Sequence, residues 1–323
     1  MLYPLKFTPI LKERIWGGKS LSEKYRKTDD NQTKFGESWE ISDLDENISV
    51  VSNGFLAEND LRELIETYMG DLVGDAVFAQ NGLGFPLLIK IIDAQEDLSV
   101  QVHPDDTLAQ QRYEQNGKTE IWYVVHAEEN AGIYVGFNKP VTKQEYINAV
   151  QHKEIASLLQ FEPVKKGDLF FIPAGTVHAL GKGVSMVEIQ QPSDITYRIF
   201  DWNRVDSSGL PRELHVAEAL DAIHFEEDSA YKIEYEEKFN TTSTLFRSEF
   251  FNINAIIFNK PLQKNYSDID SFVVYICVEG EVHLFGDDFH EVLSAGETAL
   301  LPAVIPEVNV VPNGEARLLE VYV

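Results

Sequence analysis

Short apolar runs, rich in β-branched and aromatic residues, follow one another along this chain and are separated by Gly, Pro, Asn and Asp. Runs of this length match strands better than helices, and turn residues between them are typical of antiparallel sandwiches and barrels. The pattern therefore predicts a mainly β protein. The clearest runs are Leu87 to Ile92, Ile121 to Val125, Asp168 to Ile172, Phe272 to Val278, Thr298 to Leu301 and Arg317 to Tyr322.

Three stretches depart from this pattern and predict helices at about 59–78, 142–159 and 212–223. In the first and third of them apolar residues recur at helical intervals, which places them on one face of a helix. The second stretch opens with Thr142 three residues before Glu145, the spacing of a capping box in which both side chains satisfy main-chain amides at the helix start.

Two segments about 129 residues apart share one skeleton, a Gly turn followed by a short strand and then Pro-Ala. They run from Lys166 to His178 and from Ala295 to Glu307. An internal duplication in which the second copy lost a polar site would leave this pattern, since Glu307 stands where the first copy has His178. Chance recurrence of Gly-strand-Pro in a β protein is the alternative.

The charge balance limits the possible partners of the chain. With 53 acidic and 27 basic residues among 323, the formal net charge is −26. This field repels nucleic acids and acidic membranes, and a phosphorylated substrate would need a locally basic pocket. The one cysteine, Cys277, excludes an intrachain disulfide, and no signal sequence or bilayer-length apolar stretch is present. These features predict a cytoplasmic protein without nucleic-acid or membrane partners.

Metal-binding residue types cluster in two motifs. The segment from Gly167 to His178 predicts a turn, a strand and a second turn that directs His178 inward. Upstream, Gln101 and His103 lie two residues apart, so they share one face of a strand. If this face points inward, the two imidazoles, the Gln101 amide and the Glu120 carboxylate could converge on a divalent ion such as Zn²⁺.

These motifs carry a family resemblance. Gly167, Pro173, Gly175 and His178 have the spacing of the second cupin motif. The combination of Gln101-Val-His-Pro-Asp105 with Gly117-Lys-Thr-Glu120 resembles the class I mannose-6-phosphate isomerases, zinc enzymes of the cupin superfamily. An ordinary cupin has a second His at the position of Gln101. Further similar segments are Trp16-Gly-Gly18, Gly36-Glu-Ser-Trp-Glu-Ile-Ser42 and Glu188-Ile-Gln-Gln-Pro-Ser-Asp-Ile-Thr-Tyr-Arg198.

The resemblance, which is good to about residue 225 and weaker beyond it, implies two cupin jelly-roll β-barrel domains with a few helices. Residues 1–225 would form the catalytic cupin, including the three helical insertions, and residues 226–323 a degenerate second cupin. It also implies a short, bacterial-type chain with one Zn²⁺ held by Gln101, His103, Glu120 and His178.

The same resemblance suggests roles for other charged side chains. Arg198 and Lys118 would stabilise a developing oxyanion, and Lys90 with Ser99 would contact a phosphate group. Glu188 is flanked by apolar residues and is the candidate base, with a pKa raised by burial if it points inward. A solvated turn lysine at 118 and an ion pair of Arg198 with Asp194 or Asp201 are the structural alternatives.

The implied activity is the reversible interconversion of mannose 6-phosphate and fructose 6-phosphate through an enediol. The substrate is thus a phosphorylated hexose, and the chain would act as a monomer or homodimer. Two other functions stay open at this point: an iron-dependent cupin oxygenase, against which a Gln ligand argues, and a non-catalytic sugar-binding cupin, which would need no base.

Overall fold

A computed structural model of the chain describes residues 2–206, 208–225 and 230–323. As the sequence predicts, the described chain is mainly β, and its sheets are built from antiparallel strand pairs. The strands are β1 (Ile10–Gly18), β2 (Phe35–Ile41), β3 (Asp43–Leu44), β4 (Asn47–Ile48), β5 (Leu88–Ala94), β6 (Val100–Val102), β7 (Glu120–Ala127), β8 (Gly132–Phe137), β9 (Leu159–Pro163), β10 (Leu169–Ile172), β11 (His178–Leu180), β12 (Val184–Gln190), β13 (Tyr197–Phe200), β14 (Lys232–Ile233), β15 (Thr241–Arg247), β16 (Asn252–Phe258), β17 (Leu262–Asn265), β18 (Val273–Glu279), β19 (Glu281–Phe285), β20 (His290–Ser294), β21 (Thr298–Leu301), β22 (Glu307–Pro312) and β23 (Ala316–Tyr322).

Short helices connect some of these strands. Within the described ranges, none of them is long and apolar enough to cross a bilayer. They are α1 (Ser20–Glu23), α2 (Leu61–Tyr68), α3 (Gly70–Val73), α4 (Asp75–Asn81), α5 (Asp106–Tyr113), α6 (Lys143–Gln151) and α7 (Val216–Ala222), with 3₁₀ turns at Gly54–Leu56 and Ile155–Leu158.

The three predicted helical stretches are shorter or more broken than the sequence pattern indicates. Positive φ angles of 46° at Met69 and 97° at Gly74 divide the first stretch into α2, α3 and α4. The capping box of Thr142 and Glu145 begins α6, but residues beyond Gln151 turn into a 3₁₀ helix and then β9. Helix α7 begins at Val216, so apolar periodicity alone placed its start too early.

The chain divides into two compact units. Leu11–Ser38 and Leu88–Ile233 form one, which we call the central unit, while Met1–Ile10, Trp39–Leu87 and Glu234–Val323 form the other, the terminal unit. This division differs from the predicted continuous domain 1–225, because the first and third segments of the terminal unit are far apart in sequence. The predicted boundary at 225/226 falls on Glu226–Ser229, which lie outside the described residues.

The central unit consists mainly of two sheets. A seven-stranded sheet has the order β1-β2-β5-β12-β7-β10-β14, and a five-stranded sheet has the order β13-β6-β11-β8-β9. Apolar side chains of both sheets, among them Trp122 and Phe170 from the first and Ile133 and Leu180 from the second, belong to one buried cluster. This shared core packs the sheets together in the manner of a jelly roll.

The terminal unit carries a five-stranded sheet, β15-β16-β23-β18-β21, and a four-stranded sheet, β17-β22-β19-β20. Here β21 is followed by Pro302 and Ala303, and β22 begins at Glu307, just as β10 is followed by Pro173 and β11 begins at His178. Glu307 is exposed and accepts hydrogen bonds from Gln263 and Asn265. The second copy of the motif therefore points a carboxylate at solvent where the first buries an imidazole.

Candidate active site

The five-stranded sheet of the central unit aligns three of the predicted site residues. Strand β6 lies between β11 and β13, and its Gln101 is directly opposite His178 on one side and Arg198 on the other. Residues opposite each other in an antiparallel pair project from the same face, so these three side chains form a row. His103 shares this face because it lies two residues beyond Gln101.

A second row crosses the seven-stranded sheet. Glu188 of β12 is directly opposite Lys90 of β5 and Trp122 of β7, and Gln190, two residues along, is opposite Glu120. Period-two alternation places all five side chains on one face of the sheet. The polar residues interrupt otherwise apolar strands, which was the sequence signal that singled out Lys90 and Glu188.

Three potential metal ligands meet in the interior of the central unit. The ligand atoms of His103, Glu120 and His178 all lie within 4.8 Å of one another, and all three side chains are buried. The Nε2 of His103 is 3.6 Å from Glu120 Oε2, and the Nε2 of His178 is 3.4 Å from Glu120 Oε1. The sequence placed these residues in separate motifs, and the fold brings them together.

Main-chain carbonyls fix the orientation of both imidazoles. The Nδ1–H of His103 donates to the carbonyl of Ile195 at 2.8 Å, and the Nδ1–H of His178 donates to that of Thr176 at 2.9 Å. The unprotonated nitrogen of each ring is therefore Nε2, which lies within 3.6 Å of a Glu120 oxygen. This is the arrangement by which proteins hold histidine ligands in the tautomer that binds metal.

Gln101 lies beside this cluster. Its Nε2 is 3.3 Å from the Nε2 of His178, and because that ring nitrogen carries no proton it accepts from the amide. Gln101 is half-buried and lines the adjoining cavity. The amide is thus within reach of the ligand atoms and also of any molecule in the cavity.

The triad has the chemistry of a cation site. His103 Nε2 and both oxygens of Glu120 are buried without a hydrogen-bond partner, although the ammonium of Lys118 lies 3.3 Å from Glu120 Oε2. Burial, followed by the charge of Glu188, raises the pKa of Glu120 to about 7. Burial lowers the pKa of His178 to about 4 and that of His103 well below its usual range. Unprotonated imidazoles and an under-coordinated carboxylate fit a divalent metal.

Glu188 and Lys90 form a buried ion pair. The Nζ of Lys90 lies 3.1 Å from Glu188 Oε1 and donates to Gln190 Oε1 at 2.8 Å, while Trp122 Nε1–H donates to Glu188 Oε2 at 3.0 Å. Burial by itself raises the pKa of Glu188, but the charges of Lys90 and Lys118 outweigh it, and the net pKa is lowered. The prediction that burial raises the pKa of Glu188 is therefore wrong, because the sequence could not show that Lys90 faces this carboxylate.

A cavity of about 330 Å³ adjoins these groups within the central unit. It brings together six of the nine predicted site residues: Lys90, Ser99, Gln101, Lys118, Glu188 and Arg198. The other eight lining residues received no site role from the sequence. They are Arg14, Trp16, Glu37, Ile92, Leu98, Asp194, Thr196 and Arg212.

Several of these missed residues carried a usable signal. Arg14 lies two residues before the family-like segment Trp16-Gly-Gly18, and Glu37 lies within the segment from Gly36 to Ser42. Their side chains pair, with Arg14 Nε 2.7 Å from Glu37 Oε1. Asp194 lies in the family-like segment from Glu188 to Arg198, where the sequence suggests it only as an ion-pair partner of Arg198. No sequence motif marks Arg212, which lies in a polar stretch before α7. It lines the cavity because the loop between β13 and α7 brings it there.

Arg198 does not form the ion pair with Asp201 that the sequence offers as an alternative. Its Nη1 donates to the carbonyl of Glu213 at 2.9 Å, and its Nε is buried without a hydrogen-bond partner. Asp201, one of the two expected ion-pair partners, instead binds Arg204 and Arg212. Burial and the neighbouring charge of Arg212 lower the pKa of Arg198, so this guanidinium sits in a locally positive region.

The turn before His178 depends on a glycine. Gly175 has a φ of +88°, a conformation that L side chains rarely adopt, and a Cβ there would lie 2.5 Å from Nδ1 of His224. The main chain pairs at the same point, since His224 N–H donates to the carbonyl of Gly175 at 3.0 Å. The close approach explains why a residue with a side chain cannot occupy this position of the motif.

Known proteins of one family are similar to this chain over most of its length. The family model of the phosphomannose isomerase type I catalytic domain matches residues 4–130. The mannose-6-phosphate isomerase ManA of Bacillus subtilis (strain 168) is 36% identical over 305 residues, which cover 93% of each chain. The chain belongs to the mannose-6-phosphate isomerase family. The mannose-6-phosphate isomerase of Streptococcus mutans is 39% identical over 223 residues, covering 69% of this chain and 68% of that one.

Solved structures of the mannose-6-phosphate isomerase family have the same fold. The crystal structure of the enzyme from Bacillus subtilis matches with a TM-score of 0.89 and 34% identity over 100% of both chains. A variant of the phosphomannose isomerase from Salmonella typhimurium matches with a TM-score of 0.80 over 99% of both chains. Because the second match is only 19% identical, it supports the fold and not the function. The predicted cupin-type fold of this isomerase family is therefore confirmed.

Proposed function

We propose that this chain interconverts mannose 6-phosphate and fructose 6-phosphate through an enediol intermediate, with one zinc ion per chain. The observation that carries the proposal is the buried triad of His103, Glu120 and His178, whose ligand atoms converge beside a cavity lined by cations and carboxylates. Membership of the mannose-6-phosphate isomerase family supports the same substrate.

Gln101, His103, Glu120 and His178 would hold the metal. A bound divalent ion supplies Lewis acidity that polarises sugar oxygens and favours the negative charge of an enediolate. The protein contributes the orientation of the ligands, because two main-chain carbonyls fix the imidazoles before any metal arrives. Two imidazoles, a carboxylate and an amide oxygen form a donor set that suits zinc.

Glu188 is the proposed base that moves the proton between C1 and C2. Its carboxylate is ionised at neutral pH because the charges of Lys90 and Lys118 lower its pKa. The same contacts hold it in place, since Lys90 and Trp122 each bind one of its oxygens. A fixed, ionised carboxylate on the wall of the cavity can accept a proton without first losing one.

Lys118 and Arg198 are proposed to stabilise the oxyanion that forms as the proton leaves carbon. Both line the cavity, and Lys118 is almost fully buried beside Glu120. Cations held among buried side chains interact with developing charge more strongly than they would in water. Their fixed positions also mean that no reorganisation is required during the reaction.

Lys90 and Ser99 remain the proposed contacts of the substrate phosphate. Both line the cavity, although the Lys90 ammonium is shared with Glu188 and Gln190. Arg212 adds a guanidinium to the same lining, and guanidinium bonds phosphate oxygens in pairs. These cations provide the locally basic pocket that a phosphosugar requires in a chain of net charge −26.

The proposal is tested by measuring the formation of fructose 6-phosphate from mannose 6-phosphate in a coupled assay, with unphosphorylated mannose as the matched control. We expect turnover of mannose 6-phosphate and little turnover of mannose, because mannose lacks the phosphate group that the cations of the cavity would bind. Sugar-phosphate binding without turnover would favour the binding-protein alternative. Oxygen uptake with bound iron would favour the oxygenase. A cytoplasmic monomer or homodimer is part of the same proposal.

A further inference from the structure

Asp201 lies immediately after β13, and its carboxylate binds two arginines. It is 5% exposed. Its Oδ2 accepts from Arg212 Nε at 2.8 Å, and its Oδ1 accepts from Arg212 Nη2 at 2.5 Å. Oδ1 also accepts from Arg204 Nη2 at 2.6 Å. Asp201 and Arg212 thus form a two-bonded carboxylate–guanidinium pair, which fixes orientation as well as distance.

The two arginines have different surroundings. Arg212 lines the cavity that also contains Lys118 and Arg198. Arg204 does not line that cavity, and its Nη1 donates to the carbonyl of Asp97 at 2.5 Å. Both arginines, together with Asp201, line a neighbouring cavity. Asp201 therefore anchors one guanidinium in the wall of the candidate active site, and Arg204 holds the other side of the carboxylate.

The segment that carries Arg212 is tied to β13 at a second place. The His215 N–H donates to the carbonyl of Arg198 at 2.7 Å, and the Arg198 N–H donates to Nδ1 of His215 at 3.2 Å. These bonds fix the main chain three residues beyond Arg212, but they do not restrain its long side chain. The Asp201 carboxylate is the group that does so.

Electrostatics would move Arg212 away if this carboxylate were neutral. The charge of Arg212 is one of the causes that lower the pKa of Arg198, and the charge of Asp201 opposes it. Two guanidiniums that repel each other stay adjacent only where a counter-charge holds them. An anion in the cavity gains affinity from a guanidinium that is already held in place in the cavity wall.

We propose that Asp201 is a positioning residue that holds Arg212 in the wall of the cavity beside Arg198 and thereby sets the affinity for the substrate phosphate. This inference rests on the proposed function, because it assumes that a phosphate group occupies the cavity. Asp201 itself does not line the cavity, so its effect on the substrate passes through Arg212.

The test is Asp201→Asn, which retains the size of the side chain and removes its charge. We expect the KM for mannose 6-phosphate to rise about tenfold, the effect of about 1.4 kcal/mol of binding energy, while kcat changes by less than about twofold. The constant for competitive inhibition by inorganic phosphate should rise by a similar factor, since this probe reports on the anion site alone.

Two further variants separate positioning from a general loss of structure. Asp206 lies in the same loop, but its carboxylate accepts from the main-chain N–H groups of Ser208 and Leu210 and not from an arginine. The KM of Asp206→Asn should therefore stay within about twofold of the wild-type value. Arg212→Gln should raise KM, and adding Asp201→Asn to it should raise KM little further, because both changes remove one interaction.

Equal changes in Asp201→Asn and Asp206→Asn would overturn the inference, as would additive effects of Asp201→Asn and Arg212→Gln on KM. A loss of kcat at unchanged KM would also contradict it. If wild-type protein does not isomerise mannose 6-phosphate, the proposed function fails. Calorimetric binding of inorganic phosphate to the wild type and to Asp201→Asn then still tests whether Asp201 controls an anion site.

Discussion

His103 and His178 each present Nε2 to the carboxylate of Glu120. Their ring centroids are 4.9 Å apart, and each donates its Nδ1–H to a main-chain carbonyl. Burial keeps both imidazoles neutral near pH 7, because it lowers their pKa values. The site therefore has its ligand orientation and protonation state before a metal binds, which lowers the cost of binding.

Replacing His178 with Ala should abolish both metal binding and isomerase activity. The substitution removes one of the two imidazole nitrogens and leaves Glu120 buried with fewer partners. Metal content is measured by elemental analysis of purified protein, and His126→Ala, an exposed position on β7, is the matched control. Full metal content and full activity in His178→Ala would contradict the ligand assignment.

Glu188→Gln should lower kcat by about 10² to 10⁴ with a smaller effect on KM, since this is the range of general base catalysis. The amide keeps the shape of the side chain and its contact with Trp122 but cannot accept a proton. Incorporation of solvent deuterium into the sugar should fall with kcat. A variant that turns over at the wild-type rate would show that another group moves the proton.

Lys90→Met should destabilise the fold by about 3 kcal/mol, because it removes the ammonium paired with the buried Glu188 carboxylate and leaves only the charge of Lys118 near it. Urea unfolding of the variant and the wild type measures the difference in the free energy of unfolding. The double variant Lys90→Met/Glu188→Gln removes both charges and should recover part of that stability. No recovery in the double variant would mean that Lys90 stabilises the fold through contacts other than Glu188.

The stability contributed by Asp201 should depend on pH. Burial raises the pKa of this carboxyl, but hydrogen bonds from Arg212 and Arg204 outweigh burial and the net pKa is lowered. Its contribution is thus fully present above the unfolded pKa of about 3.9 and is lost as the pH falls through the folded value. The stability gap between wild type and Asp201→Asn should be constant above about pH 5 and shrink below about pH 4. A gap that widens on acidification would show that folding raises the pKa of Asp201, which contradicts the lowered pKa expected from its arginine partners.

Gly175→Ala should cost more stability than Gly314→Ala, although both glycines have a φ of +88°. A Cβ at position 175 would meet the His224 ring at 2.5 Å, whereas position 314 has nothing within 4 Å. Backbone strain alone costs about 1–2 kcal/mol, so thermal unfolding should show that much for Gly314→Ala and more for Gly175→Ala. Equal losses would mean that the His224 ring moves aside freely.

The sequence predicted the strand content and the candidate ligands because both depend on local pattern. Apolar runs between turn residues predict strands, and the spacing of Gln101 and His103 places both on one face. Pairing between distant strands, by contrast, leaves no local trace. The contact of Lys90 with Glu188, which reverses the expected pKa shift, depends on the register of β5 against β12.

The same limit explains the residues and boundaries that the sequence could not supply. Arg212 reaches the cavity because the loop after β13 returns along that strand, and nothing in the sequence around it marks this path. Met69, with a positive φ of 46°, ends α2 where the apolar periodicity favours a continuing helix, and the periodicity does not mark this break. The terminal unit combines the start and the end of the chain, which local composition does not encode.

The most direct test of the account is the dependence of isomerase activity on bound metal. Protein is stripped of metal with a chelator, dialysed, and titrated with zinc while the formation of fructose 6-phosphate from mannose 6-phosphate is followed. We expect activity to be lost on stripping and to return in proportion to bound zinc, with a plateau at about one zinc ion per chain. Full activity in stripped protein with no bound metal would contradict the account.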